Sequence, residues 1–203
     1  MDALDKYKKA WDNQPKEENT ISKVDIYKMA HAKSSSIVKW IFIIGILEFI
    51  LLNSLYFFVD MDKANEEYDR LGLKGFVFYS QVIAYAVLFY FLIRFYLNYK
   101  SISVVESTKT LMTKILKTRK TVRHYVLFNL AYVLVVIVSV TVATLRTHPE
   151  YDSSKMLAVV ITAIIFGLIM LGIIWLFYQL LYGILLRKLN KNYKELAKLD
   201  ELK

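Results

Sequence analysis

Residues 156–186 read MLAVVITAIIFGLIMLGIIWLFYQLLYGILL, a run of 31 residues without a formal charge. As an α-helix this run would be about 46 Å long, because each residue adds ~1.5 Å. The hydrocarbon core of a bilayer is only ~30 Å thick. The run therefore predicts a membrane-spanning helix that tilts or projects beyond the bilayer.

Three further runs of the same character lie upstream, at 40–59, 75–97 and 125–145. The formal charges inside the four runs are Glu48, near the middle of the first, and Arg94, close to the end of the second. A transmembrane barrel would show short segments that alternate between apolar and polar residues, whereas these runs are apolar on all faces. The sequence predicts an all-α polytopic membrane protein with four transmembrane helices.

The distribution of basic residues predicts how these helices are oriented. Of the 27 lysines and arginines, 22 lie in residues 1–39, 94–123 and 187–203, and five lie in 60–74 and 146–155. Basic residues resist transfer across the bilayer, so the richer side faces the cytoplasm. We expect a multi-pass protein of the cell inner membrane with cytoplasmic helical extensions and with both termini in the cytoplasm.

The net charge of +9 does not indicate nucleic-acid binding. The basic excess lies beside the ends of the apolar runs, where anionic head groups of the lipid bilayer attract it. No motif that reads a nucleic-acid groove accompanies the charge. We therefore expect the bilayer, and no nucleic acid, to be the partner of these residues.

Three parts of the chain follow from this pattern. Residues 1–36 form a cytoplasmic amphipathic segment, in which Ser22 has the character of a helix N-cap. The transmembrane bundle occupies residues 37–186, and its second and third spans continue into a cytoplasmic helical hairpin at 98–124. A basic C-terminal helix occupies 187–203. The hairpin carries an apolar stripe at helical spacing: Val105, Leu111, Met112, Ile115 and Leu116.

The first residues of the chain carry a second stripe. Leu4, Tyr7 and Trp11 are three and four residues apart, so they share one face of a short helix. This face either packs on the protein's own cytoplasmic helices and the lipid interface or docks on a soluble protein partner. On span four, Ala163 and Gly167 are four residues apart, which permits close helix approach and leaves an oligomer open.

The sequence predicts no enzymatic activity. Its six glycines are spaced in a way that excludes a Walker loop, a dinucleotide fingerprint and a nucleophile elbow. Under the predicted topology His31 and His124 lie on one side of the membrane and His148 on the other, and there is no cysteine. We therefore expect no catalytic residue, no cofactor and no metal site.

Glu48 is the most informative single residue, because a carboxylate at membrane depth is costly and must face the bundle interior or water. Tyr85 and Tyr132 lie at its predicted level, Tyr178 is a potential neighbour, and a second polar layer lies nearer the cytoplasm. Three interpretations stay open: a hydrogen-bond network that fixes packing, a proton or ion path, and a polar ligand pocket. The predicted intramembrane polar layer comprises Glu48, Tyr85, Arg94, Asn129, Tyr132 and Gln179.

Three stretches carry a resemblance: LDKYKKAWDNQ at 4–14, DIYKMAHAKSSSIVKWIFIIGILEF at 25–49 and LMTKILKTRKTVRHYVLFN at 111–129. The chain resembles an uncharacterised family of four-span inner-membrane proteins of Bacteroidetes, over nearly its whole length. Members of that family are sometimes encoded beside extracytoplasmic-function sigma factors. The resemblance implies an anti-sigma-like role in which the Leu4, Tyr7 and Trp11 face contacts the cytoplasmic partner.

Some members of that family carry the name β-carotene monooxygenase. Enzymes of that kind hold iron with four histidines, and this chain has three. The leading hypothesis is therefore a non-enzymatic regulatory or scaffolding subunit that binds a soluble partner through its cytoplasmic face. A small ion or proton channel or transporter that uses the Glu48 layer is the alternative. An enzyme that acts on lipid is a third hypothesis, for which the sequence offers no nucleophile.

Overall fold

The computed structural model describes residues 22–104 and 107–201, and these residues form helices joined by short connections, with no strand. One 3₁₀ turn, Leu55–Phe57, extends the first helix, and one π-helical turn, Gln179–Gly183, joins the last two. The predicted all-α class is confirmed over the described residues. The α-helices are α1 (Lys23–Ser54), α2 (Met61–Arg70), α3 (Lys74–Ser103), α4 (Thr108–Thr147), α5 (Ser153–Tyr178) and α6 (Ile184–Glu201).

Four helical segments are long and apolar enough to cross a membrane. Three of them contain one apolar run of the sequence in full, and the first ends at Phe57, two residues before the end of the run 40–59. The four segments are α1 with its 3₁₀ extension, α3, α4, and the continuous segment that α5, the π turn and α6 form together. That last segment has 49 residues, so it extends well beyond a ~30 Å core at ~1.5 Å per residue. The long fourth run thus continues into a further helical extension.

The start of α1 follows from local chemistry. The Ser22 side chain accepts a hydrogen bond from the Val24 backbone N–H at 3.2 Å, and Asp25 lies in the first turn. Both features stabilise a helix N-terminus, so the predicted N-cap is confirmed. The helix then runs through Ser34, Ser35 and Ser36 without a break, because Ser34 is buried and hydrogen-bonded rather than exposed at a bend.

The order of packing produces two different ends of the bundle. Helix α1 packs on α3, α3 on α4, and α4 on α5. Beyond the π turn, α6 packs on both α1 and α4 and closes the bundle. We call the closed end, built from residues 23–38, 98–103, 108–122 and 184–201, the cap. We call the opposite end, which carries α2 and the connection at 148–152, the loop end.

The cap has its own apolar core and three polar cross-links. Asn192 donates to the Ser34 hydroxyl at 3.1 Å, and Asn98 donates to Thr121 at 3.1 Å. A ring nitrogen of His31 lies 2.8 Å from the Ile102 carbonyl oxygen. Pairing of buried polar groups limits the cost of burying them. The buried apolar core comprises Ala30, Val38, Ile102, Leu111, Ile115, Leu189 and Leu196.

The prediction of an apolar stripe on the hairpin is confirmed at some residues and wrong at one. Leu111 and Ile115 are fully buried, and Met112 packs against the same core. Leu116 is 44% exposed, because the residue after Ile115 on a helix points about 100° away from it. Val105 lies outside the described residues.

Helix α2 was not expected from the sequence, which indicated only a hydrophilic connection at 60–74. Asp60 caps it by accepting a hydrogen bond from the Lys63 backbone N–H at 3.2 Å. Gly72 ends it with a φ of +66°, a left-handed conformation that glycine adopts without steric cost. The connection therefore contributes an ordered wall to the loop end.

Candidate functional site

Glu48 lies on the inner face of α1 and is only 3% exposed. Its carboxylate accepts a hydrogen bond of 2.5 Å from the Tyr178 hydroxyl and one of 3.0 Å from the Tyr182 hydroxyl. Among the described residues no lysine, arginine or histidine forms an ion pair with it. The carboxylate is therefore held by neutral donors alone.

The two tyrosines belong to one continuous helix but are separated by the start of the π turn. Their rings stack with a centroid separation of 6.0 Å, which directs both hydroxyls to the same side. The ring of Tyr125 on α4 makes edge contacts with Tyr178 at 5.9 Å and with Tyr182 at 6.0 Å. Phe95 on α3 packs on Tyr125 at 5.4 Å. This aromatic cluster fixes the orientation of the two donors.

A cavity of about 530 Å³ extends from Glu48 toward the loop end, between α1, α3, α4 and α5. Its size falls within the usual range of pockets that hold small molecules. Tyrosine rings, side-chain amides and apolar side chains line it together. The polar lining residues are Glu48, Asn53, Tyr56, Tyr68, Gln81, Tyr85, Tyr125, Asn129, Tyr132 and Tyr178.

Hydrogen bonds order the polar groups along the cavity wall. Tyr85 donates to the Asn53 side-chain oxygen at 2.8 Å, and Gln81 donates to the Tyr56 hydroxyl at 2.8 Å. Asn129 donates to the Tyr125 backbone carbonyl at 2.9 Å. Its side-chain oxygen has no partner within the ranges 22–104 and 107–201. That oxygen is available to accept from a molecule in the cavity.

Helix α2 forms the cavity wall at the loop end. Met61, Ala64 and Tyr68 line the cavity, and they are three and four residues apart, so they share one face of the helix. Outside the cavity, the Lys63 side chain and then its backbone N–H bind Asp60 and hold the pKa of that carboxyl below its ordinary value. The helix that forms this wall thus begins at an ionised cap.

The structure distributes the residues of the predicted polar layer among three places. Tyr85, Asn129 and Tyr132 line the same cavity as Glu48. The Arg94 guanidinium lies 6.0 Å from the Tyr90 ring centre on the same helix rather than beside Glu48. Gln179 lies in a separate groove between α4 and the α5–α6 segment. The predicted partner-binding face of Leu4, Tyr7 and Trp11 lies outside the described residues.

Several site residues were missed from the sequence. Tyr182, which shares Glu48 with Tyr178, was one of them, although two tyrosines four residues apart in an uncharged run are a usable signal. Asn53, Tyr56 and Gln81 were also missed. These three polar side chains lie near the ends of apolar runs, where polar residues are common and carry little information.

Within the described ranges no group of three or more histidine, cysteine, aspartate or glutamate residues could hold a metal ion. His148 pairs with Glu150 at 2.8 Å and stacks on Tyr151 at 4.8 Å, and both contacts lie in the 148–152 connection. The lining of the cavity thus offers one carboxylate, hydroxyls, amides and aromatic rings.

Comparison with protein families gave one finding. The model of a family described as Domain of unknown function (DUF8845) matches residues 24–201. The match runs from α1 to the end of α6, so it includes every residue that lines the cavity. Comparison with the curated proteins and with the solved structures gave no match.

Proposed function

The chain belongs to the family described as Domain of unknown function (DUF8845), and from its own geometry we propose that it is an inner-membrane carrier or binding protein for a small organic cation. One observation carries the proposal: Glu48 borders an open cavity of about 530 Å³ and has no cationic partner among the described residues. A cationic ligand would supply the partner.

The surface of the bundle supports placement in a membrane. Phe78, Leu127 and Leu168, on three different helices, are each more than 60% exposed. Continuous apolar surface of this kind suits lipid and is rare on soluble monomers. Because the basic residues are concentrated at the cap, the cap faces the cytoplasm and the loop end faces outward. The cavity then lies on the outer side of Glu48.

The chemistry of the cavity favours an amine or a quaternary ammonium group attached to an apolar body. A buried carboxylate is costly unless it is protonated or paired, so a bound cation lowers that cost. Tyrosine faces attract cations through the negative charge on the ring face. Leu52, Leu88 and Ile174 offer apolar contacts to the rest of the molecule.

The position of Glu48 argues against a role limited to packing. Glu48 is only 3% exposed, yet it still borders the cavity. Here the donors Tyr178 and Tyr182 approach from α5 and the π turn, whereas the open volume adjoins the carboxylate within the bundle. We interpret the tyrosines as supports that hold the carboxylate at the cavity floor.

A carrier fits this geometry better than an open channel. Toward the cap, Phe95, Tyr125 and Tyr182 are packed against one another and are each less than 4% exposed. An ion path through this layer would need all three rings to move. The cavity therefore binds its ligand from one side, and transfer to the other side requires a second conformation.

Binding of benzyltrimethylammonium to the purified full-length protein in detergent tests the proposal. This probe joins a permanent cation to one aromatic ring, and neopentylbenzene has the same shape without the charge. Calorimetry on the wild type should detect the cation and not the neutral analogue. The Glu48→Gln variant should lose at least roughly tenfold in affinity, the loss expected for one buried charge pair.

The Glu150→Gln variant is the matched control, because Glu150 is an exposed carboxylate in the 148–152 connection. It should bind the cation as the wild type does. Equal affinity for the charged and neutral probes, or full affinity in Glu48→Gln, would contradict a cation site at Glu48.

The regulatory role suggested by the sequence stays a prediction. It depends on Leu4, Tyr7 and Trp11, and isolation of the complex in mild detergent tests it. A stoichiometric soluble partner should accompany the wild type and be lost from Trp11→Ala. Cation binding at Glu48 and partner binding at the N-terminus are compatible, since a carrier-like protein can also report its occupancy.

A further inference from the structure

A groove of about 590 Å³ runs along the outside of the bundle between α4 and the α5–α6 segment. Its cap half is polar and basic, and it is lined by Arg119, Arg123 and Arg187. Its other half is apolar, with Leu127, Leu130 and Trp175. The groove thus has a cationic end and an apolar end.

In the part of the chain that the structure describes, these three arginines form no ion pair. Within residues 22–104 and 107–201 the ion pairs lie in the connections at 60–74 and 148–150, and none includes these arginines. Arg187 donates from Nε to the Gly183 carbonyl at 3.4 Å, which leaves its two terminal nitrogens for another acceptor. Arg119 and Arg123 are four residues apart on one helix, where like charges repel. An anion between them would remove that repulsion.

The π turn forms part of the groove. Gln179, Tyr182 and Gly183 all line it. A side-chain carbon on Gly183 would lie 2.8 Å from the side-chain amide carbon of Gln179, so only glycine lets that amide lie against the backbone here. Isolated π turns within α-helices are rare and are frequent at functional sites. Here the turn widens the helix at the junction of the basic and apolar halves.

We propose that this groove binds one anionic phospholipid. The arginines bind the phosphate group through paired N–H donors, for which the guanidinium plane is suited. The acyl chains lie along Leu127, Leu130 and Trp175. A free phosphate would leave this apolar half empty, and a zwitterionic lipid would leave a net positive charge on the arginines. Both parts of the groove are filled only by a lipid with a net negative head group.

The groove also adjoins the Glu48 cavity without forming part of it. Tyr178 borders both spaces, and Tyr182 presents its ring to the groove and its hydroxyl to Glu48. A lipid in the groove therefore packs on the two tyrosines that hold the carboxylate. The lipid proposal does not depend on what the cavity binds.

Native mass spectrometry of the full-length protein with added lipid tests the proposal. Phosphatidylglycerol should remain bound, whereas phosphatidylcholine with the same acyl chains should be removed. In the triple variant Arg119→Gln, Arg123→Gln, Arg187→Gln, the affinity for phosphatidylglycerol should be lower by at least roughly tenfold. The control variant Lys39→Gln, Lys100→Gln, Lys117→Gln removes the same charge from exposed lysines elsewhere and should bind as the wild type does.

Two further experiments distinguish a bound phospholipid from a bound free phosphate group. Glycerophosphoglycerol, which is the same head group without acyl chains, should not displace the lipid at millimolar concentration. A phosphatidylglycerol with a photoreactive acyl chain should cross-link the wild type within 123–130 or 175–187, a readout that needs no variant to fold.

Three results would overturn the proposal. Equal loss in the two triple variants would mean that the arginines contribute only to the general charge of the membrane interface. Displacement by glycerophosphoglycerol would mean a phosphate site without a lipid, and cross-links confined to the outer face of α3 would place the lipid elsewhere.

Discussion

Tyr178 donates a hydrogen bond of 2.5 Å to Glu48, which lies 130 residues earlier in the chain. This bond joins the first helix of the bundle to the last apolar one. Helix α1 packs on the fourth helical segment mainly through α6, and this bond links the two segments at the edge of the cavity. Its loss should therefore affect both stability and the cavity.

The Tyr178→Phe variant should lower the free energy of unfolding by about 1–2 kcal/mol. It removes a donor from a buried carboxylate, and hydrogen bonds to charged groups are the stronger ones even though bonds within membrane bundles are often weak. Tyr182→Phe should cost less, because its bond is longer, at 3.0 Å. Unfolding of the purified protein in mixed micelles measures both.

Tyr79→Phe is the matched control, because Tyr79 is 68% exposed on α3, and it should leave the stability unchanged. In a double-mutant cycle, Tyr178→Phe should cost less in the Glu48→Gln background than in the wild type. Strict additivity of the two changes would show that the residues do not interact energetically.

The sequence predicted the helices of the bundle better than it predicted the site. The four apolar runs, the Ser22 cap and the inward position of Glu48 follow from hydropathy and from the cost of burying charge. These are local or one-residue properties. The pairing of Glu48 with Tyr182 is different, because it depends on the π turn. A π turn shifts the residues that follow its start around the helix, so a projection with 3.6 residues per turn places Tyr182 incorrectly.

Helix α2 shows a second limit of sequence reasoning. Its ten residues include six charged side chains and only three residues that face the cavity, Met61, Ala64 and Tyr68. A helix of this length is marginal in isolation. Packing of this short face on the rest of the protein stabilises it, and the sequence pattern does not show that packing.

Gly45 is a site where added volume should weaken the bundle. A side-chain carbon at this position would lie 3.1 Å from Leu92 and 3.2 Å from Phe95, so α1 and α3 approach closely there. Gly45→Leu should lower the unfolding free energy by about 1–3 kcal/mol through overpacking. Gly172→Leu is the control, because nothing lies within 4 Å of a side-chain carbon there.

Thermal unfolding in the same detergent distinguishes the two leucine variants. Gly172→Leu should unfold at or above the wild-type temperature, because leucine favours the helix more than glycine does. If Gly45→Leu were equally stable, the close contact between α1 and α3 would not exist in the folded protein.

The wall formed by α2 should loosen in acid. The Lys63 contacts lower the pKa of Asp60 in the folded protein, so the cap contributes its full stability above the ordinary aspartate pKa of about 3.9. That stability is lost as the pH falls through the lower folded-state value. A nitroxide on the Asp62→Cys variant should become more mobile as the pH decreases through this range.

Asp60→Asn gives the control for this titration. Asparagine caps a helix about as well as aspartate but does not ionise in this range. The nitroxide in that background should show a flat profile as the pH decreases through the same range. A transition of the same size would assign the acid response to another group.

The last prediction concerns the proposed orientation in the membrane. Cysteine labelling can test it, because the chain has no native cysteine. Asp62→Cys lies on the loop end and Lys194→Cys on the cap, and both positions are exposed. A membrane-impermeant maleimide should label Asp62→Cys in intact cells, because five basic residues at the loop end do not oppose its export. Lys194→Cys should react only after the membrane is permeabilised.

Lys155→Cys, at the start of α5, should behave as Asp62→Cys does, because both connections lie at the loop end. Labelling of Lys194→Cys in intact cells would reverse the topology, and the cavity above Glu48 would then face the cytoplasm.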